Sequence, residues 1–200
     1  MDGLAAVKLN HHLLLPFGLE GLKGIIATCR SQGLPLIADL KINDIGATNL
    51  NIVDSLTSYG VDAVTANPFV GYKDGLGGVV ERLHSKGGGL LLLVYMSHEG
   101  AEEGYGLRIQ GGETLHEVFA RRAKEWGADG AVVSARSSEI IDATKRIVGK
   151  DCLIYAPGVG AQGGRVATAA QADFLIVGRA IVESPDPARA LLSFGSSPER

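Results

Sequence analysis

Cysteine and positive charge are both scarce in this sequence. Its 200 residues contain two cysteines, Cys29 and Cys152, and neither lies in a CxxC pair of the kind that binds metal or takes part in redox exchange. We expect both to be buried thiols in a reducing cytosol. A formal net charge of -3 and a pI of about 5.9 exclude the broad basic surface of a nucleic-acid-binding protein. An anionic ligand would therefore need local binding groups.

Long hydrophobic runs and histidine motifs are also missing. The start, MDGLAAVKLN, lacks the charged and apolar stretches of a secretory signal, and no apolar run approaches the ~20 residues of a membrane span. The histidines form no HxH or HExxH pattern, so no zinc site is expected. We expect a cytoplasmic protein in which residues 1–200 form a single domain.

Glycine is abundant instead, at 28 of the 200 residues, where the usual share is ~7%. The glycines separate short apolar runs from longer stretches with helical spacing, which is the pattern of repeated strand and helix units around a parallel sheet. Seven strands are predicted, at residues 4–9, 36–40, 63–65, 90–95, 130–133, 153–155 and 174–177.

Helical spacing is clearest in four apolar stripes between these strands, and Thr114 and Glu117 open the third at the spacing of a capping box. Strand and helix units in this number fit either an open doubly wound sheet or a TIM (β/α)8 barrel, and counting does not decide between them. In a barrel, the first strand would be absent from the given sequence. The stripes are Leu19, Leu22, Ile25, Ile26 and Cys29; Ile52, Val53, Leu56 and Tyr59; Leu115, Val118, Phe119 and Trp126; and Ile140, Ile141, Thr144, Ile147 and Val148.

Charged side chains stand at the ends of two predicted strands. Asp39 and Lys41 are two residues apart at the end of an apolar strand, so both should point to the inside of a barrel at its C-terminal rim. Asp44 follows in the loop, where it and Asp39 could together keep Lys41 protonated. Lys8 ends another apolar strand, and Asp39 is its natural anionic neighbour if the two strands pair. A solvated or intersubunit salt bridge is the alternative explanation of D-x-K-x-x-D.

Glycine-rich segments follow the last two predicted strands. In APGVGAQGG, Pro157 ends a strand, and Gly158 and Gln162 lie in the loop, while in IVGRAI, Gly178 and Arg179 end the next strand. Such loops expose backbone N–H groups, and TIM barrels commonly bind phosphate at this position. A purely conformational role for the glycines is the alternative. Two consecutive strand ends of this kind favour phosphate binding.

Four segments together resemble the orotidine 5'-monophosphate decarboxylase family, in particular its archaeal members. They are DLKINDIGATN, YMSHEGA, YAPGVGAQGG and IVGRAI, and the likeness extends over about residues 5–190. The resemblance implies a TIM barrel and an enzyme that converts orotidine 5'-monophosphate to uridine 5'-monophosphate in de novo pyrimidine biosynthesis. It also implies that the reaction uses neither a metal nor an organic cofactor.

The same resemblance implies a role for each candidate residue. Lys8, Asp39, Lys41 and Asp44 would form the catalytic array, with Asp39 against the substrate carboxylate and Lys41 protonating C6 after carbon dioxide leaves. In a homodimer, Asp44 and Thr48 would reach into the site of the partner subunit. The other implied contacts bind the nucleotide: Gln162, Gly178 and Arg179 at the phosphate, Ser97 at the pyrimidine, and Met96 and Pro157 as the lining of its pocket.

Two features depart from the family's pattern. The family's first strand, which carries an aspartate that contacts the ribose, has no counterpart here, and Asn67 stands where many archaeal members have histidine. Two rival functions are kept. One is a magnesium-dependent sugar-phosphate enzyme of the hexulose-phosphate synthase type, which shares D-x-K-x-x-D but has an acidic residue at the position of Lys8. The other is a non-catalytic barrel that binds a phosphate ligand.

Overall fold

A computed structural model describes residues 3–160 and 164–195 of the chain. Within these ranges, seven strands pair in parallel and in the order of the sequence. Each of the seven predicted strands is present. The strands are β1 (Val7–Asn10), β2 (Leu36–Ile42), β3 (Ala63–Ala66), β4 (Gly89–Tyr95), β5 (Gly130–Val133), β6 (Leu153–Pro157) and β7 (Phe174–Ile176).

The strand order decides between the two folds that the sequence left open. A doubly wound sheet reverses its strand order at a switch point, whereas a barrel adds each strand beside the previous one. Here every strand pairs with its neighbour in sequence, so the fold is of the TIM-barrel type. Among the described residues, β1 and β7 each have one partner, and the strand that would close the barrel between them is missing, as expected.

Helices alternate with these strands. The predicted capping box is present at the start of α6: Glu117 accepts hydrogen bonds from the backbone N–H and the hydroxyl of Thr114, both within 2.8 Å. Ser137 caps α7 by accepting from the N–H of Ile140. The helices are α1 (His11–Gly21), α2 (Lys23–Ser31), α3 (Gly46–Ser58), α4 (Gly77–Ser85), α5 (Ala101–Tyr105), α6 (Leu115–Glu125), α7 (Ser138–Val148), α8 (Arg179–Val182) and α9 (Pro187–Gly195).

The sheet separates two apolar regions. Residues such as Leu36 and Ala38 pack outward into a large core between the strands and the helices. Ile37 faces the other way, into a small cluster inside the barrel that also contains Leu91, Leu93 and Val132. Because alternate residues of a strand share a face, Asp39 follows Ile37 onto this inner face. Both cysteines are free and buried in the outer core, as predicted.

The end of β2 is irregular. The strand runs two residues beyond its predicted end, and its pairing with β3 shifts register, so that the stretch from Ala38 to Ile42 lies opposite the shorter stretch from Val64 to Ala66. Within this stretch, Lys41 has a φ of 51°, in the left-handed region that residues other than glycine rarely adopt. The most unusual backbone conformation of the strand therefore coincides with the candidate catalytic lysine.

None of the helices within residues 3–160 and 164–195 is long and apolar enough to cross a membrane.

Candidate active site

The candidate residues gather at one end of the sheet. All seven strands are parallel, so their C-terminal ends, from Asn10 on β1 to Ile176 on β7, form one rim. Lys8, Asp39 and Lys41 lie on the first two strands close to this rim, Pro157 ends β6, and the segments after β2, β4, β6 and β7 carry the other candidates. In TIM-barrel enzymes this rim holds the active site.

Asp39 lies between two ammonium groups. Its Oδ2 atom is 2.6 Å from Nζ of Lys8, and its Oδ1 atom is 2.7 Å from Nζ of Lys41. The Lys8 ammonium also contacts the side-chain oxygen of Asn10. The pairing of β1 with β2 brings Lys8 to Asp39, as the sequence suggested. A carboxylate and two cations thus form one contiguous polar array on the inner face.

The two lysines favour the ionised form of Asp39. Burial acts to raise the pKa of the Asp39 carboxyl, but the positive charges and hydrogen bonds of Lys8 and Lys41 outweigh it and hold that pKa below its ordinary value of 3.8. Asp39 is therefore an anion at neutral pH. The Lys41 side chain is 37% exposed, against 17% for Lys8, so Lys41 is the ammonium that a ligand in the barrel mouth can reach more easily.

Thr65 on β3 also contacts Asp39, although the sequence did not single out Thr65 as a candidate. Its hydroxyl donates to Oδ1 of Asp39 at 2.9 Å and accepts the backbone N–H of Lys41 at 2.9 Å. Thr65 is buried, with 3% exposure. A signal was present in the sequence: AVTAN has a polar side chain at an inward position near a strand end, the same anomaly that singled out Asp39.

Asp44 lies in the loop that follows β2, apart from the Lys41 ammonium. Its carboxylate is exposed and accepts the N–H of Ile45 at 2.7 Å. Fully buried Asn49 holds the loop, accepting the N–H of Asp44 and donating to its carbonyl oxygen at 2.5 Å. Among the described residues, the ion pairs of Lys41 include Asp39 but not Asp44, so the lysine is not flanked by both carboxylates within one chain. Thr48 is half-buried in the first turn of α3.

Met96 and Ser97 directly follow β4, and Pro157 ends β6. Met96 packs against the inner apolar cluster and so provides an apolar surface inside the barrel mouth. Ser97 is held by Arg136, whose guanidinium donates to the Ser97 carbonyl oxygen at 3.2 Å. The carbonyl of Pro157 accepts the N–H of Ala135 at 2.8 Å, which ties the ends of β5 and β6 together. These residues surround the part of the rim opposite β1 and β2.

The two glycine-rich segments predicted to bind phosphate come together. Gly164 donates its N–H to the Gly158 carbonyl at 3.0 Å. A Cβ on Gly164 would lie 2.7 Å from that oxygen, so this close approach of the two backbone segments requires glycine at position 164. A Cβ on Gly160 would lie 3.1 Å from Ala180 of α8. The loop after β6 is therefore close to the short helix after β7. Gln162 lies outside the described residues.

Gly178 and Arg179 lie where α8 begins. Gly178 is the residue before the helix, and its carbonyl accepts the N–H groups of Ile181 and Val182. Arg179 is the first helical residue, and its side chain is exposed. A guanidinium beside glycine-rich backbone suits an anionic ligand of the phosphate type. The rim thus has a charged array at β1 to β3 and, after β6 and β7, glycine-rich backbone with the exposed guanidinium of Arg179.

Comparisons with known proteins identify the family of this chain. The model of the family described as "Orotidine 5'-phosphate decarboxylase / HUMPS family" matches residues 1–194. This chain belongs to the orotidine 5'-phosphate decarboxylase / HUMPS family. Among curated members, the orotidine 5'-phosphate decarboxylase of Methanosarcina barkeri is 36% identical over 187 residues, which are 92% of this chain and 79% of that protein. The Aeropyrum pernix protein of the same name is 37% identical, covering 94% of this chain and 74% of its own length.

Solved structures of the decarboxylase family share the fold. The Pyrococcus horikoshii OT3 orotidine 5'-phosphate decarboxylase has a TM-score of 0.79 at 30% identity, with 97% of this chain and 86% of that chain covered. The Methanocaldococcus jannaschii orotidine 5'-monophosphate decarboxylase, solved in complex with the inhibitor BMP, has a TM-score of 0.81 at 28% identity and the same coverage. The recognised family and the TIM-barrel architecture are both confirmed.

Proposed function

We propose that this chain decarboxylates orotidine 5'-monophosphate to uridine 5'-monophosphate in de novo pyrimidine biosynthesis, with neither a metal nor an organic cofactor. The observation that carries the proposal is the Asp39 carboxylate between two ammonium groups, at 2.6 and 2.7 Å, on the inner face of the barrel rim. Membership of the decarboxylase family supports the same reaction.

The proposed mechanism uses the charges of this array. The anionic Asp39 lies beside the carboxylate of the bound substrate, which raises the energy of the ground state relative to the transition state in which that negative charge moves away. When the bond between C6 and the carboxyl carbon breaks, its electron pair stays on C6 and carbon dioxide leaves. The Lys41 ammonium stabilises this carbanion and then transfers a proton to it. Lys41 regains its proton from solvent.

Binding energy from the phosphate supports this chemistry. Arg179, Gly178 and Gln162 bind the phosphate, Ser97 binds the pyrimidine, and Met96 and Pro157 line its pocket. Contacts to a part of the substrate that does not react can fix the pyrimidine against Asp39 and Lys41, because binding energy gained at one end limits motion at the other.

The active form is proposed to be a homodimer, in which Asp44 and Thr48 complete the site of the partner subunit. Two observations support this proposal: the Asp44 carboxylate is exposed, and apolar side chains near it in the fold are exposed too. Ile45 is 64% exposed, and Phe69 and Tyr72 are 67% and 43% exposed. The segment Tyr72–Leu76 packs against α3, which Ile45 precedes, so these side chains belong to neighbouring segments.

A cytoplasmic location and a single domain over residues 1–200 stay predictions.

The magnesium-dependent sugar-phosphate enzyme is less compatible with this site. Such an enzyme needs carboxylate oxygens free to coordinate a cation. Here both Asp39 oxygens already accept hydrogen bonds from ammonium groups, and Lys8 adds a positive charge where a second metal-binding carboxylate would be needed. A purely non-catalytic phosphate binder would have no use for a partly buried array of this kind, whose assembly removes Lys8 and Asp39 from most of their contact with water.

The proposed function is tested by turnover in the presence of a chelator. The purified full-length chain, treated with EDTA, is mixed with orotidine 5'-monophosphate, and the absorbance of the substrate is followed. We expect the absorbance to decay and uridine 5'-monophosphate to form at the same rate with and without the chelator. Decay that stops with EDTA and returns with magnesium would contradict a metal-free reaction. A chain that leaves the nucleotide unchanged, with or without magnesium, would refute the decarboxylation and leave the two rival functions.

A further inference from the structure

Thr65 is the buried side chain that links two parts of the catalytic array. It lies on the inner face of β3, one strand beyond Asp39 and Lys41, with 3% of its surface exposed. A hydroxyl has one proton to donate and lone pairs to accept with. Here the proton goes to Oδ1 of Asp39 at 2.9 Å, and the oxygen accepts the backbone N–H of Lys41, also at 2.9 Å. One atom therefore contacts the side chain of one residue and the backbone of the other.

The backbone that Thr65 contacts is strained. Lys41 has a φ of 51°, a conformation that is unfavourable for a residue with a Cβ and persists only where its surroundings enforce it. The register of β2 against β3 shifts across this stretch, so the regular ladder is interrupted where Lys41 lies. At this interruption the Thr65 hydroxyl accepts a hydrogen bond from the N–H of Lys41. The Thr65 side chain therefore stabilises the left-handed conformation of Lys41 where the regular hydrogen bonds between β2 and β3 are interrupted.

We infer that Thr65 is a positioning residue for the decarboxylation, holding the Asp39 carboxylate and the Lys41 backbone in register so that the ammonium lies over the reacting carbon. This inference rests on the proposed function. Oδ1 of Asp39 accepts from both the Thr65 hydroxyl and the Lys41 ammonium, at 2.9 and 2.7 Å, so the hydroxyl limits where that oxygen and its bound ammonium can lie. A small displacement of a proton donor costs rate more than affinity, because the substrate is held mainly elsewhere.

The test compares substitutions that separate the hydroxyl from the volume of the side chain. Thr65→Val removes the hydroxyl and keeps nearly the same volume, whereas Thr65→Ser keeps the hydroxyl and removes a methyl group. We expect Thr65→Val to lower kcat by roughly 10- to 100-fold, with KM for orotidine 5'-monophosphate changed by less than about threefold. Thr65→Ser should retain kcat within about threefold of the unaltered chain.

The pH profile provides a second readout that a merely structural role would not change. A hydrogen bond donated to a carboxylate stabilises its ionised form, so its loss raises the pKa of that group. Thr65→Val should therefore raise the pKa of Asp39 and move the acid limb of the kcat profile to higher pH. Thr57→Val is the matched control. The Thr57 hydroxyl also makes hydrogen bonds, donating to the Val53 carbonyl and accepting from the Lys86 ammonium, but it lies on α3, away from the rim. Its kcat, KM and acid limb should be unchanged.

The possible outcomes separate this inference from the function on which it rests. Decay of the substrate with the unaltered chain and with Thr57→Val supports the function whatever Thr65→Val does. If folded Thr65→Val then has an unaltered kcat, or if Thr65→Ser is as slow as Thr65→Val, the role of the hydroxyl is refuted. Should Thr65→Val fail to fold, Thr65→Cys takes its place, since a thiol is close to the serine hydroxyl in size but is a weak hydrogen-bond partner. Thr65→Cys should then be as slow as expected for Thr65→Val, and a kcat equal to that of Thr65→Ser would refute the inference.

Discussion

At the scale of single residues, the two lysines of the array at the barrel rim differ in their burial. Lys8 is the more buried and lies against Oδ2 of Asp39, while Lys41 is more exposed and lies against Oδ1. If Lys41 is lost, Lys8 still neutralises the carboxylate. The array can therefore survive the removal of the proposed proton donor, which makes Lys41 suitable for substitution.

Substitution of Lys41 should remove catalysis and leave binding intact. We expect Lys41→Ala to lower kcat by roughly 10³-fold or more, because both the stabilising charge and the proton donor are lost. Binding of uridine 5'-monophosphate, measured by calorimetry, should persist, since the proposed phosphate contacts are elsewhere. Lys23→Ala is the matched control, because Lys23 pairs with Glu20 at an exposed position on α2. Equal turnover by Lys41→Ala and Lys23→Ala would remove Lys41 from its proposed role.

Asp39 should also give the protein a characteristic dependence of stability on pH. Its pKa in the folded chain is below the ordinary 3.8, so the folded state favours the ionised carboxylate more than the unfolded state does. The stability contributed by this group is fully present above the unfolded pKa and is lost as the pH falls through the lower, folded pKa. Urea denaturation of the unaltered chain and of Asp39→Asn tests this from pH 3 to pH 7. The difference in unfolding free energy should be constant above about pH 5 and shrink below about pH 4. A difference that stays constant down to pH 3 would contradict it.

The sequence predicted the candidate residues better than their contacts. Lys8 and Asp39 could be paired because consecutive strands with a helical crossover tend to be neighbours, and the register of β1 with β2 then brings them together. The left-handed conformation of Lys41 was not predictable, since lysine has no preference for it and only the tertiary structure enforces it. Thr65 was missed for a different reason: threonine is common in strands, so its inward position near a strand end is a weaker signal than that of a charged residue.

At the scale of the elements, the opposite end of the sheet has a repeated structural feature. Asp62, Asp129 and Asp173 each immediately precede a strand, respectively β3, β5 and β7. Each carboxylate accepts the N–H of a residue on the preceding strand, Leu36, Leu90 and Ile154, at 2.7 to 2.8 Å. Each aspartate also donates its own N–H to the carbonyl of that residue, at 2.9 to 3.0 Å. The strands are thus joined in the pairs β2–β3, β4–β5 and β6–β7 by the same two hydrogen bonds.

These aspartates should contribute stability without affecting turnover. Asp62 is the cleanest case, because Asp129 also contacts His84, and Asp173 also pairs with Lys145. Asp62→Ala leaves the buried N–H of Leu36 without its carboxylate acceptor, so we expect a loss of about 1–3 kcal/mol in unfolding free energy. The kcat of the folded variant should be unchanged, since Asp62 lies at the end of the barrel away from the active-site rim.

Urea denaturation and steady-state kinetics measure the two quantities on the same preparation of Asp62→Ala. Asp142→Ala, an exposed aspartate on α7, is the control and should cost less than about 0.5 kcal/mol. An Asp62→Ala variant as stable as this control would show that the repeated hydrogen bonds do not hold the strands together.

Element boundaries were predictable only where local chemistry sets them. The start of α6 was, because Thr114 and Glu117 form their capping box with backbone groups of the same turn. The end of β2 was not, because the register shift against β3 depends on how two distant segments fit. The aspartates before β3, β5 and β7 were also passed over, since an aspartate beside a turn is so common that its sequence position alone indicates nothing more.

At the scale of the whole molecule, composition and periodicity were compatible with both a doubly wound sheet and a TIM barrel and could not decide between these folds. Both contain alternating strands and helices, and both bury a parallel sheet beneath helices. The difference is the spatial order of the strands, which is a property of long-range pairing. The family resemblance favoured the barrel, and the consecutive order from β1 to β7 confirmed it. Because a parallel barrel collects all C-terminal strand ends at one rim, residues as distant as Lys8 and Arg179 can serve one nucleotide.

The proposed homodimer makes a quantitative prediction about mixed variants. Lys41→Ala and Asp44→Ala should each be nearly inactive alone. In a mixed dimer with Asp44 acting across the interface, one site contains both substitutions and the other contains neither. Random mixing in equal amounts makes half of the dimers mixed, so about a quarter of all sites should be intact.

The measurement is turnover after the two variants have been unfolded together and refolded, compared with each variant treated alone. Sharing of Asp44 predicts that activity returns to about a quarter of the unaltered value. If Asp44 instead served its own subunit, every site would lack either Lys41 or Asp44, and mixing would restore nothing. Sedimentation of the refolded mixture must show dimers for the comparison to count, and a fully active monomer would contradict both the dimer and the shared site. The exposed carboxylate of Asp44 and the exposed side chains of Ile45 and Phe69 are the reasons to expect recovery.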